Sequence, residues 1–408
     1  MAIDGLTPAE ISALTTTQIV ALTTSDFKAM TTDQIAALDG TQFRAIETRD
    51  LVVLSSNQLE AVSTYNIASL KSDQLRALTG TQIEALSSDQ LNALSTTSLA
   101  ALATGQIRAI ETDDLVALSN FQIAAFTSTQ IASLKGTQIA ALTSGQIQSF
   151  STDDIVALSS GQVGFMSTDA VAALTTEQML AMETQNLRAL NSNQITALTT
   201  FNINAMSSDQ ARALTGPQMQ QLSSDQLNAL STDNIAVLTT GQIRFIETDD
   251  IANLTTAQVA ALTTTQTQAL KGTQLAVLTS EQILAFSTAD IAALKTGHMQ
   301  FMTTDNIAAL TSDQMVAMET QDLRALNSDQ TAALSTNNIN AMLSDQARAL
   351  TGAQMQQLSS DQLNALSTDN IAVLTTGQIR FIETDDVTNL TTAQVAALTT
   401  TQTQALKG

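Results

Sequence analysis

The sequence has no cysteine and no tryptophan, and only one tyrosine, one histidine and two prolines in 408 residues. Without cysteine there is no disulfide framework. With one histidine, a Ser-His-Asp arrangement has almost no raw material. Positive charge is also scarce. Sixteen Lys and Arg face 38 Asp and Glu, leaving a net charge of −22. Such a surface repels phosphate backbones, which argues against a nucleic-acid partner. No run of 18 apolar residues occurs, so no membrane insertion is expected. Apolar residues still make up 44% of the chain, too many for a highly charged disordered polymer.

What the chain does have is a period of eight. From Leu6 onward every eighth residue is large and apolar: Leu14, Leu22, Met30, Leu38, and so on to Leu406. Three residues before each lies a second series, Ile11, Ile19, Phe27, Ile35, broken only at Ala211, Thr267, Thr331, Ala347 and Thr403. Between them runs a mostly Ala position, such as Ala13 and Ala37. The consensus octad is Leu-(Thr/Ser)-(Thr/Ser/Gly)-x-(Gln/Asp)-Ile-x-Ala. Since 408 is 51 times 8, residues 1–408 read as one continuous array. A longer repeat lies above it. Residues 216–272 recur at 352–408 with three differences, and Lys-Gly falls at 135–136, 271–272 and 407–408. The array is therefore three units of seventeen octads each: 1–136, 137–272 and 273–408. A Glu replaces the first Thr/Ser at Glu47, Glu111, Glu183, Glu247, Glu319 and Glu383, at intervals alternating between eight and nine octads. Those intervals suit either a superhelical pitch or the trace of an older duplication.

Each octad carries a helix start. In Thr7-Pro8-Ala9-Glu10, Thr caps, Pro suits the first helical position, and Glu reaches back to the cap amide. Thr31 and Gln34 repeat the logic. Ile35, Ala37 and Leu38 then form the core of the octad, as Ile107, Ile243 and Ile379 do in theirs; the two large residues lie three apart on one face. One continuous helix is excluded, because eight residues in two turns would need 4.0 per turn. The reading is an all-α solenoid of very short helices, one per octad. Ordering eight residues costs on the order of 12 kcal/mol, whereas burying two aliphatic side chains returns roughly 3–6 kcal/mol. Neighbouring coils must therefore cover one another. The alternative is a β-solenoid with 16-residue coils, favoured by Thr and Ile. Against it stand the spacing of three, the 15 glycines, and an odd seventeen octads per unit.

Little in the array carries chemistry. His298 stands at the Gln/Asp position of its octad and reads as a surface cap variant. The pairs Asp113-Asp114, Asp153-Asp154, Asp249-Asp250 and Asp385-Asp386 could hold Ca²⁺ loosely on an acidic surface, but the helix dipole explains them without metal. No catalytic, cofactor-binding or metal residue is assigned, and no enzyme is expected. Phe165, Phe245, Phe301 and Phe381 replace the small Ala. Together with the six Glu they are candidate contact positions, although filling a gap in the core is the plainer reading for the Phe.

The stretch Leu254-Thr-Thr-Ala-Gln-Val-Ala-Ala-Leu262, together with the composition, resembles giant repetitive bacterial cell-surface proteins exported by a type I-like route without a cleavable signal. The resemblance implies an extracellular or cell-surface setting. The expected function is structural: a filament, sheath or stalk built by repeat stacking, whose partner is the chain itself. An adhesin or binding scaffold is the alternative. An ice-binding surface would require the β-solenoid, and an intracellular length ruler would place the chain in the cytoplasm.

Overall fold

The computed structural model describes residues 3 and 5–406; Lys407 and Gly408 of the last Lys-Gly pair lie outside the described residues. Helices of four to six residues follow one another from Pro8–Ser12 to Thr400–Ala405, one per octad, and no strand occurs among the described residues. The all-α solenoid reading holds, and the 16-residue β-coil does not. The ice-binding reading loses its premise with it. The chain divides into two compact units, Met1–Met206 and Ser207–Gly408, each built in the same way.

The octad folds for the reasons its sequence gives. Thr7 is extended (φ −74°, ψ 159°), and its hydroxyl accepts the Glu10 amide at 3.3 Å. Glu10 Oε2 accepts the Thr7 amide at 2.7 Å in return, so two helix-end donors are satisfied reciprocally. Thr31 and Gln34 form the same box. After one turn and a half the last apolar residue closes the helix on the Ile three before it, as Leu14 N–H does on the Ile11 carbonyl at 3.1 Å. The chain then runs extended through that residue and the next cap. No left-handed residue is needed: among the described residues only Gly5 has a positive φ. The scarcity of glycine and proline follows from this way of turning.

Within each unit helices pack on the third helix after them: Pro8–Ser12 on Thr32–Ala36, and Thr16–Val20 on Gly40–Ala45. The two apolar series meet inside. Ile35, Leu38, Ile107, Ile243 and Ile379 are all at most 2% exposed. Ala37 departs from the expectation; it is only half-buried. The Ala position lies at the margin between coils, where a small side chain lets backbones approach. A Cβ on Gly80 would stand 3.5 Å from the Ala109 Cβ of the next coil.

Burial comes from the neighbouring coil and not from the octad. Residues 255–272 and 391–408 have identical sequences. Val259, covered by a following coil, is 1% exposed, whereas Val395, over which no further coil lies among the described residues, is 52% exposed. This is the nearest-neighbour stability of a repeat array.

Candidate functional site

The residue that locks coil to coil is the Gln in the first turn. It looks like a cap residue, yet it is buried in octad after octad, because its two ends do different work. Gln146 Oε1 accepts the Thr143 amide at 3.0 Å. Its Nε2 donates to the carbonyls of Leu115 and Leu118, both at 2.9 Å. Those carbonyls lie 31 and 28 residues back, and the same offsets recur at Gln42, Gln106, Gln266, Gln314 and Gln402. One coil is thus close to three and a half octads. A coil that is not a whole number of octads explains why an odd seventeen octads make one unit, since seventeen octads come close to five coils. It also corrects the pitch reading of the Glu intervals. Eight and nine octads are each more than two coils and less than three, so consecutive Glu do not return to one face.

His298 is a variant of this residue and not a free surface group. It is half-buried, and its Nδ1 accepts the Lys295 amide at 3.0 Å. Burial first, then the Lys295 charge, lowers its pKa below the usual value, against the Leu270 carbonyl, which raises it.

The six Glu mark a different kind of octad. Glu47, Glu111, Glu183, Glu247, Glu319 and Glu383 all stand at the cap position and make no cap bond with their side chains. In all six the Gln is replaced by Asp or Asn: Asp50, Asp114, Asn186, Asp250, Asp322, Asp386. An Asp has no donor for the carbonyls below. Each of the six accepts a hydroxyl from 26 residues back, from Thr24, Ser88, Ser160, Ser224, Thr296 and Ser360 respectively, and Asn186 alone also donates to a carbonyl below, that of Leu158. Asp322 shows the strain of this arrangement. It is 0% exposed, and its Oδ2 has no partner. Burial raises its pKa; the Thr296 hydroxyl opposes this and the Glu319 carboxylate adds to it.

Clefts open beside three of these Glu. The cleft at Glu247 and Lys271 has a volume near 460 Å³ and is closed on one side by Gln220, whose Nε2 donates to Glu247 Oε1 at 3.0 Å. The cleft at Glu47 and Lys71 is near 480 Å³, and that at Glu111 and Lys135 near 330 Å³. In each the Lys follows the Glu by three octads, a spacing open to inspection in the sequence once the coil length is known.

Other candidate positions fall elsewhere. The Asp pairs do not converge. Asp113 and Asp153 are not buried while Asp114 and Asp154 are, one facing a hydroxyl of the coil before and the other its own cap. No group of three or more His, Asp or Glu placed to hold a metal ion occurs among the described residues. Phe165, Phe245, Phe301 and Phe381 do not fill the core; they are 44–55% exposed. Each lies over a glycine of the coil before, Gly136, Gly216, Gly272 or Gly352, where a Cβ would come within 2.1–2.4 Å of the ring. The large residue and the missing Cβ are a matched pair.

A comparison with curated proteins finds no match. The ALTTAQ repeat matches in overlapping stretches that together cover 3–40, 43–104, 107–216, 243–280 and 283–376. Most of the sequence lies within these stretches, and the chain belongs to the ALTTAQ repeat family.

Proposed function

We propose that the chain is a non-catalytic structural protein that forms or extends an extracellular filament, sheath or stalk by repeat stacking and homotypic assembly. The observation that carries the reading is the Gln ladder: the same pair of inter-coil bonds, at the same offsets, recurs through each unit. Length is what such an array adds with each repeat. The clefts are open and polar, unlike the enclosed, mostly apolar pockets that take small substrates. No helix among the described residues is long and apolar enough to cross a membrane. Negative-stain electron microscopy of the purified chain at low and physiological salt tests the reading. Filaments many times longer than one chain are expected, and isolated particles at every concentration and salt would overturn assembly.

One observation favours a scaffold that holds a foreign partner. Tyr65, Phe121 and Phe201 are 75%, 84% and 77% exposed, and aromatic rings left bare on a surface are typical anchors of binding interfaces. Isolated particles that bind a partner through these rings would support it.

A further inference from the structure

We propose that the mixed-charge clefts are the contact through which the chain recognises a second copy of itself, the Lys of each cleft entering the partner's cleft to meet its Glu. This rests on the assembly reading above.

Three observations carry it. The first is where the scarce cations are. Four Arg stand three positions before a cap Glu, at Arg44, Arg108, Arg244 and Arg380, and four Lys stand three octads after one, at Lys71, Lys135, Lys271 and Lys407. These eight are half of the 16 cations in the chain. In a molecule of net charge −22, two copies can approach only where positive charge is gathered.

The second is local stability given up in the same places. Thr or Ser to cap a helix is available in most octads, yet Glu47, Glu111 and Glu247 and their partners Lys71, Lys135 and Lys271 occupy cap positions without a side-chain cap bond. Breaking a local rule twice in one cleft, in three clefts, is the signature of a position kept for something other than folding.

The third is that the Lys charges of these clefts are not spent on the Glu beside them. Among the described residues Lys135 and Lys271 form no ion pair with the Glu of their clefts; the ion pairs at these sites are those of Arg49 with Glu47 at 2.8 Å and Asp50 at 3.7 Å. An acid and a base side by side form a self-complementary patch. A two-fold axis between two copies sets Glu against Lys on both sides at once, the isologous arrangement that closes a symmetric contact. Clefts of 330–480 Å³ leave room for an entering Lys side chain. Several clefts per chain make the contact multivalent.

Two charge-reversed full-length chains test this. One carries Glu47→Lys, Glu111→Lys, Glu247→Lys and Glu383→Lys; the other carries Lys71→Glu, Lys135→Glu, Lys271→Glu and Lys407→Glu. Sedimentation velocity at low and physiological salt reads association, and circular dichroism checks that each variant folds. Each alone should associate at least about tenfold more weakly than the parent, and an equimolar mixture should recover it. Both variants remain net negative, so recovery cannot come from overall attraction. A chain with Asp33→Lys, Asp89→Lys, Asp209→Lys and Asp225→Lys, all exposed, carries the same net charge as the Glu→Lys chain without touching the clefts and should associate at least as well as the parent. If the parent assembles but either variant alone does so equally, or the mixture fails to recover, the cleft contact is wrong and assembly stands. If the parent itself never associates, both readings fall.

Discussion

Two kinds of octad share one backbone, and they solve the same problem with different chemistry. The Gln octad, as at Thr143–Phe150, caps its own helix with one end of an amide and ties the coil below with the other. The Glu octad, as at Glu319–Leu326, leaves its cap unmade and accepts one hydroxyl from the coil below through Asp322. The first kind uses both ends of its amide on the fold. The second leaves a carboxylate at the surface and, at Asp322, a buried acid whose Oδ2 has no partner. The difference separates octads that stack from octads that also present something to solvent.

The comparison breaks hardest if a Gln octad is given the acid. Gln146→Glu keeps the acceptor for the Thr143 amide but sets a carboxylate against the carbonyls of Leu115 and Leu118 at a site 1% exposed. The loss should be about 3 kcal/mol or more, because two donors vanish and a charge is buried unpaired. Thermal denaturation checks it; an unchanged midpoint would mean that the ladder contributes nothing. The reverse conversion should stabilise. Glu319→Thr with Asp322→Gln restores a box and a ladder donor, for a gain of about 2 kcal/mol.

Asp322→Asn isolates one atom of that difference. Asn186 holds the equivalent place, and its Nδ2 donates to the Leu158 carbonyl at 2.8 Å, 28 residues back. The variant should gain about 1 kcal/mol at neutral pH. The pH dependence gives a second readout. The folded pKa of Asp322 is raised by burial, so the folded state holds its proton more tightly than the unfolded one. Stability is gained as pH falls through the folded value and lost as pH rises. Glu10 and Asp26, lowered by bonds to Thr7 and Thr23, act in the opposite sense and lose their stabilisation as pH falls. Comparing parent with Asp322→Asn between pH 4 and 7 cancels those background carboxylates. A variant that tracks the parent across that range would show that the buried acid carries no penalty.

How much of this was legible in the sequence follows from the range of each interaction. The period of eight and the caps rest on contacts within four residues, and the same spacing marks which Ile and Leu each octad offers to its neighbouring coil. The carbonyls that Gln146 Nε2 reaches belong to another coil, and nothing local distinguishes a Gln that caps from one that also ties two coils. The offset becomes readable only with the coil length. Once it is known, the pairing of Phe245 with Gly216 and of Glu247 with Lys271 can be read back from the sequence. Ala37 is half-buried rather than part of the core. It lies two residues from Ile35, about 200° round a helix and off the face that Ile35 and Leu38 share; in the stack it sits at the margin between coils.

His298 offers the smallest effect and the cleanest signal, because it is the only histidine. It does the work of a ladder Gln only when neutral, since Nδ1 must accept the Lys295 amide. Its lowered pKa, set first by burial, means that the unfolded chain takes up the proton more readily than the folded one. The stability it lends is therefore present above the usual histidine value near 6.5 and is lost as pH falls below it. The loss should be slight, because the ring is half-exposed and solvent screens its charge. His298→Gln should abolish that dependence, seen as a smaller drop in thermal midpoint between pH 7.5 and 5.5. A proton NMR titration of the single imidazole reads the cause directly. A midpoint at or above 6.5 would mean that the ring does not hold its coil in the neutral form, and that the ladder tolerates a gap at this octad as it does at the five Glu octads that carry Asp.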